Sequence, residues 1–220
     1  MRRSEFARLV DHTLLKSEAL GADVDALVDD ALAAGVAAVC VSSARVGRAA
    51  GRLTGSGVAA CTVVGFPSGA VLPEAKVAEV HRAAEAGATE FDMVLDIGRL
   101  RDGDRDGVVR DIAAVRAAVP DGGLLKVILE TAALDDDRIR LGCLLARDAG
   151  ADFVKTSTGF HPSGGATVEA VRLMRETVPD LGVKASGGIR DLATALRMLD
   201  AGATRLGMSA TVAVLAELPD

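Results

Sequence analysis

Four charged residues interrupt some of the most apolar stretches of this sequence. They are Asp92 in Glu90-Phe91-Asp92-Met93-Val94, Lys126 in Leu124-Leu125-Lys126-Val127-Ile128, Lys155 in Asp152-Phe153-Val154-Lys155-Thr156 and Lys184 in Gly182-Val183-Lys184-Ala185-Ser186. Such runs read as strands of a parallel sheet covered on both faces, which should be almost continuously apolar. An unpaired charge in that setting is costly, and the group tends to neutralise instead. One lysine at a strand end can snorkel to water, but lysines on neighbouring strands point into one space. Crowding and desolvation lower the pKa of an amine, and an uncharged lysine attacks carbonyl carbon. A carboxylate on an adjoining strand can carry protons for that attack. The residues therefore point to imine chemistry and leave the substrate open.

Glycine-bearing turns follow the last three strands: Thr158-Gly159, Ser186-Gly187-Gly188-Ile189 and Gly207-Met208-Ser209-Ala210. Backbone N–H groups in such turns, with a helix starting behind them, make an anion site. Lys155-Thr156 is not a P-loop, because Val154 stands where that motif requires glycine. His12, His81 and His161 are scattered, and no pair has metal-ligand spacing. Cys40, Cys61 and Cys143 form neither a CxxC pair nor a disulfide framework. No metal and no cofactor is expected.

The elements that would position these groups follow one rhythm. Four times a helical pattern ends in Ala-Gly and restarts as a strand: Ala34-Gly35, Ala86-Gly87, Ala149-Gly150 and Ala201-Gly202. Glycine there supplies the left-handed cap that stops a helix. Strands are expected near Val10–Leu14, Ala37–Val41, Ala59–Val64, Glu90–Leu95, Leu125–Leu129, Asp152–Lys155, Val183–Ala185 and Arg205–Met208. Helices are expected over Val24–Ala34, Pro73–Ala86, Arg105–Ala118, Asp136–Ala149, Thr167–Val178 and Asp191–Ala201. Alternation of this kind gives a parallel sheet, and eight units fill the length as one (β/α)8 barrel domain over residues 1–220. An open doubly wound sheet would carry a glycine fingerprint after the first strand, where Asp11-His12-Thr13-Leu14 has none.

Of the 220 residues, 50% are hydrophobic but only 2% aromatic, with no Trp or Tyr, so Ala, Val, Leu and Gly must build the core. A net charge of −6 lacks the basic face that nucleic acid or an anionic membrane would require. The N-terminus shows no signal peptide and no stretch long enough to span a bilayer, so a reducing cytoplasm is expected. An acidic, alanine-rich surface is compatible with a monomer or a homodimer.

Taken in order, six segments resemble the deoxyribose-phosphate aldolase family of class I aldolases along nearly the full length. They are Asp11-His12-Thr13-Leu14-Leu15, Val63-Val64-Gly65-Phe66-Pro67-Ser68-Gly69, Glu90 to Val94, Leu125 to Thr131, Asp152 to Gly159 and Lys184 to Arg190. The resemblance implies that Lys155 forms a Schiff base, with Lys184 and Asp92 as the proton-transfer pair and Lys184 keeping the Lys155 amine uncharged. It implies that Lys126 is a polar wall of the pocket, that Asp11, Thr13 and Thr158 help bind substrate, and that Gly159, Gly187, Gly188, Gly207 and Ser209 hold a phosphate. The implied reaction is reversible cleavage of 2-deoxy-D-ribose 5-phosphate to D-glyceraldehyde 3-phosphate and acetaldehyde, in deoxynucleoside catabolism. Alternatives are another lysine-imine barrel lyase acting on a different sugar phosphate, and a barrel that binds such a ligand without turnover.

Some residues depart from the family pattern. Asp96 stands where Asn is frequent, Ala132 where Gly is common, and Phe160 where some members carry a phosphate-facing lysine. Without any tyrosine, the tyrosine-bearing tail of some members is absent as well.

Overall fold

The computed structural model describes residues 1–220 and closes the expected strands into a (β/α)8 barrel. The strands are β1 (Val10–Leu14), β2 (Ala38–Val41), β3 (Ala59–Val64), β4 (Glu90–Val94), β5 (Leu124–Ile128), β6 (Phe153–Lys155), β7 (Gly182–Ser186) and β8 (Arg205–Met208). All neighbours are parallel, and β1 returns to β8 with Val10 beside Leu206 and His12 beside Met208. Closure leaves no open edge, and it disposes of the doubly wound alternative.

The helices are α1 (Arg3–Ala7), α2 (Gly21–Ala34), α3 (Val46–Leu53), α4 (Pro73–Glu85), α5 (Ile97–Asp102), α6 (Arg105–Ala118), α7 (Asp136–Asp148), α8 (Val168–Thr177), α9 (Leu192–Asp200) and α10 (Thr211–Ala216). Their ends are written in the sequence. Asp104, Asp135, Thr167 and Asp191 each accept a hydrogen bond from the backbone N–H three residues on, satisfying a donor that the first turn leaves free. Asp96 does the same for α5 by accepting from Arg99, so its carboxylate serves the helix start. Gly35, Gly87, Gly150 and Gly202 all adopt positive φ (64°, 98°, 85° and 109°), as the Ala-Gly rhythm predicts. The crossover helix α3 was not expected. Gly47 and Gly51 dilute its pattern with poor helix formers, and burial of Val46, Ala49 and Leu53 against the barrel supplies what propensity does not.

Side chains alternate in and out along every strand. Val39, Val41, Val64, Phe91, Met93, Leu125, Val127, Val154, Val183 and Leu206 point outward into a core of 52 buried residues between barrel and helices. Ala38, Cys40, Cys61 and Val63 face inward and form a separate small cluster. Asp11, Asp92, Lys126, Lys155 and Lys184 share that inward parity. Outside the barrel, the buried Lys76 of α4 pairs with Asp111 of α6 at 2.5 Å and donates to the Val94 carbonyl at 3.0 Å, which fixes the end of β4 two residues beyond Asp92. No helix is long and apolar enough to cross a membrane.

Candidate active site

Seven ionisable side chains meet inside the barrel. Asp92 is the hub: its Oδ1 accepts from Lys126 Nζ at 2.8 Å, and its Oδ2 accepts from Lys155 Nζ at 2.8 Å and Lys184 Nζ at 2.6 Å. Lys184 also donates to Asp11. Lys126 reaches Glu90 Oε2 at 2.6 Å and lies 3.7 Å from Asp11 Oδ2. Arg205 closes the ring, with Nη1 2.6 Å from Asp11 Oδ1 and 3.4 Å from Glu90 Oε2. All but Arg205, which is partly buried, are withdrawn from solvent.

The lysines are thus not left to repel one another. Burial alone would raise the Asp92 carboxyl, but Lys126, Lys155 and Lys184 outweigh it and hold the group well below the usual carboxylate range. Asp11, subject to the same opposition between burial and the charges of Lys184, Lys126 and Arg205, is lowered to about 2. Burial pushes Lys126 and Lys184 down, yet their carboxylate neighbours reverse the sign and raise both. For these two amines the lowering expected from crowding is therefore corrected. Interleaved Asp11, Glu90 and Asp92 make them firm ammonium ions.

Depressed carboxyls couple this cluster to acid stability. The unfolded chain takes up protons near the ordinary carboxyl value of about 4, while folded Asp11 and Asp92 still refuse them. Their contribution is complete above that value and is lost as pH falls through about 2 for Asp11. Urea unfolding measured from pH 6 to pH 2.5 should show stability dropping by roughly 2 kcal/mol or more across the carboxyl range. A flat profile would contradict the ionised cluster.

Above the cluster, a cavity of about 230 Å³ opens at the C-terminal ends of the strands. Among the cluster's members, Lys155 alone lines it. Thr13 and Thr158 line it too, as do Gly159, Gly187, Gly188, Gly207 and Ser209, so two of the expected substrate residues and all the expected phosphate residues are gathered in one place. Asp11 and Lys126 were expected to touch substrate. The structure places both beneath the cavity, fully buried, with Lys126 held among Asp92, Glu90 and Cys61 rather than forming a wall.

Four residues in or beside this cavity, Glu130, Gly165, Lys16 and Arg190, were given no role by the sequence. Glu130 is buried at the end of β5 and accepts from Thr158 N and, at 2.5 Å, from Thr158 Oγ1. It is also the one non-glycine residue with positive φ (59°), a conformation held here by those bonds. No pattern in the sequence announces it. Gly165 packs so closely on the β7 turn that a Cβ there would lie 2.3 Å from the Gly187 carbonyl oxygen. Lys16 and Arg190 stand exposed at the rim and make no ion pair, whereas most cations of this acidic chain are paired. Phe160 lies at the same rim, edge-on to Phe66 at 5.2 Å. Glu90 and Arg205 share the inward parity of Asp92 and Lys184, the one signal from which their place could have been read.

The arrangement offers an amine at a cavity floor, a carboxylate joining that amine to a second one, and a rim of glycine turns with two unpaired cations, Lys16 and Arg190. A family model described as DeoC/LacD family aldolase matches residues 6–215. Deoxyribose-phosphate aldolase of Corynebacterium diphtheriae is 54% identical over 217 residues, covering 98% of both chains. Its counterpart in Mycobacterium avium is 57% identical over 218 residues, covering 97% of this chain and 96% of the relative. Among solved structures, the tetrameric deoxyribose phosphate aldolase of Aeropyrum pernix superposes with a TM-score of 0.91 at 35% identity, over 98% of this chain and 91% of that one.

Proposed function

The chain belongs to the DeoC/LacD family of aldolases, and from that premise we propose that it cleaves 2-deoxy-D-ribose 5-phosphate reversibly to D-glyceraldehyde 3-phosphate and acetaldehyde through an imine at Lys155. The observation that carries this reading is that Lys155 belongs at once to the buried charge cluster and to the cavity wall.

The uncharged Lys155 amine adds to the C1 aldehyde of the open-chain sugar, and loss of water gives an iminium. Removal of the proton from the C3 hydroxyl lets the C2–C3 electrons flow into the iminium, which breaks that bond and leaves an enamine on Lys155. Glyceraldehyde 3-phosphate departs. Protonation of the enamine at its terminal carbon and hydrolysis then release acetaldehyde and the amine. Asp92 Oδ2 bridges Lys155 and Lys184, which makes it a relay for these protons, with the Lys184 ammonium as the reservoir. The lysine imine is itself the electron sink, so the reaction calls on no metal and no cofactor. Asp11 and Lys126 act from below by orienting Lys184 and Asp92.

In this reading the phosphate sits on the Gly159, Gly187–Gly188 and Ser209 turns that line the cavity, whose backbone N–H groups are the donors such an anion requires. Lys16 and Arg190 at the rim supply positive charge that Phe160 does not. The setting is a reducing cytoplasm, in which Cys40, Cys61 and Cys143 remain the free thiols seen here, and the role is breakdown of deoxynucleosides. The test is direct. Purified protein incubated with 2-deoxy-D-ribose 5-phosphate should release acetaldehyde and glyceraldehyde 3-phosphate in equal amounts. Cleavage of another sugar phosphate, with no acetaldehyde from this one, would establish the alternative lyase.

A further inference from the structure

Inside the barrel, the carboxylates of Asp11, Glu90 and Asp92 face four cationic side chains, Lys126, Lys155, Lys184 and Arg205. Three anions balance three cations. The fourth cation is in excess in a place where uncompensated charge is expensive, so one of the four must be the side chain that yields its proton.

The contacts identify which one. Lys126 touches all three carboxylates. Lys184 bridges Asp11 and Asp92, and Arg205 bridges Asp11 and Glu90. Lys155 alone has a single partner, Asp92, and that carboxylate is shared with two other amines. Arg205, for its part, does not lose its proton in a protein. It enters from the first residue of β8, at the end of the barrel away from the cavity, with its guanidinium 5.7 Å from the centre of the Phe153 ring. Neither of its ion-pair partners, Asp11 and Glu90, lines the cavity beside Lys155.

We infer that Arg205 and Glu90 are positioning residues for the aldol reaction, an opposed pair at the barrel floor that sets how readily Lys155 gives up its proton. The inference rests on the imine reading of Lys155. Arg205 occupies Asp11 Oδ1 and leaves Oδ2 to Lys184. Without it, the Lys155 ammonium becomes the third cation needed to balance three carboxylates, and the amine stays protonated. Without the Glu90 charge the excess of positive charge grows, and Lys155 is released more easily. Two thiols complete the surroundings. Cys61, beside Asp92 at 3.3 Å, is held protonated by burial, while Cys40 of β2 is drawn down chiefly by its hydrogen bond with Cys61. Cys61 pairs with Glu90 across β3 and β4 and lies within 4.8 Å of the Glu90 and Asp11 carboxylates; as a protonated thiol it adds no charge to the floor pair, which acts through the carboxylates.

The experiment follows imine formation with acetaldehyde, trapped by cyanoborohydride, as a function of pH. The acid limb of this profile reports the loss of the Lys155 proton whichever sugar phosphate is the substrate. Arg205→Met should move the half-point of that limb upward by about one pH unit, and Glu90→Gln should move it downward by a similar amount. The double variant should return towards the wild-type profile, as should Arg205→Lys. Glu90→Gln gives a sign of its own, so the result stands even if Arg205→Met folds poorly. Shifts of the same sign in both single variants, or none in Glu90→Gln, would overturn the inference. Failure of the imine reading is recognisable separately, because wild-type protein would then trap no acetaldehyde at Lys155 at any pH.

Discussion

Lys155→Ala is expected to lose turnover of 2-deoxy-D-ribose 5-phosphate to below detection while keeping its fold. No other amine is placed to replace it. Lys126 and Lys184 lie beneath the cavity, each fixed by two or more carboxylates and raised well above an ordinary lysine. Lys16 reaches the cavity but stands at its exposed rim, on the loop after β1 and outside the charge cluster. Stability should fall less than in Asp92→Asn, because the substitution removes the supernumerary cation and Asp92 keeps two ammonium partners. Steady-state kinetics and a thermal melt on the same preparation check both halves. Activity retained at even a tenth of the wild-type level would reassign the nucleophile.

Asp92→Asn should do damage of both kinds. The hub loses the charge that three lysines share. Removing one side of a buried ion pair leaves uncompensated charge and typically costs about 3–5 kcal/mol. The relay between Lys155 and Lys184 is lost with it, and general acid–base catalysis of this type contributes about 10²–10⁴-fold. Turnover should fall within that range, and the midpoint of urea unfolding should drop markedly. A variant as stable as wild type would mean that the three lysines do not depend on this carboxylate. The contrast between the two substitutions is informative in itself. An alanine at 155 removes function from a sound fold, whereas an asparagine at 92 weakens both.

Much of this architecture is legible in the amino-acid sequence because parallel strands leave a clear trace. Every expected strand is present, with ends shifted by no more than a residue or two, as in β4, which stops at Val94 rather than Leu95, and β5, which begins at Leu124. The Ala-Gly helix stops lie where their glycines require. Lysines in apolar runs betrayed the barrel interior, since an inward parity is the only one that lets them meet.

What the sequence conceals is what depends on distant strands. Glu90 and Arg205 are two residues upstream of Asp92 and Gly207 on their strands, and only closure of β1 onto β8 brings Arg205 to Asp11 and Glu90. Read one strand at a time, three lysines look mutually repulsive. Read across the barrel, each of them reaches a carboxylate of β4 or β1, and the sign of the shift at Lys126 and Lys184 reverses. The place of Lys126 changes for the same reason, because its long side chain spends its reach on Glu90 and Asp92. Glu130 was hidden in another way: its left-handed backbone is stabilised by Thr158, 28 positions away.

The central claim is that one particular amine captures an aldehyde. Wild-type protein treated with acetaldehyde and borohydride, digested and examined by mass spectrometry should carry a single two-carbon addition, on the peptide containing Lys155 and at that residue. An adduct on Lys126, on Lys184 or on surface lysines alone, or an unmodified Lys155, would contradict the account.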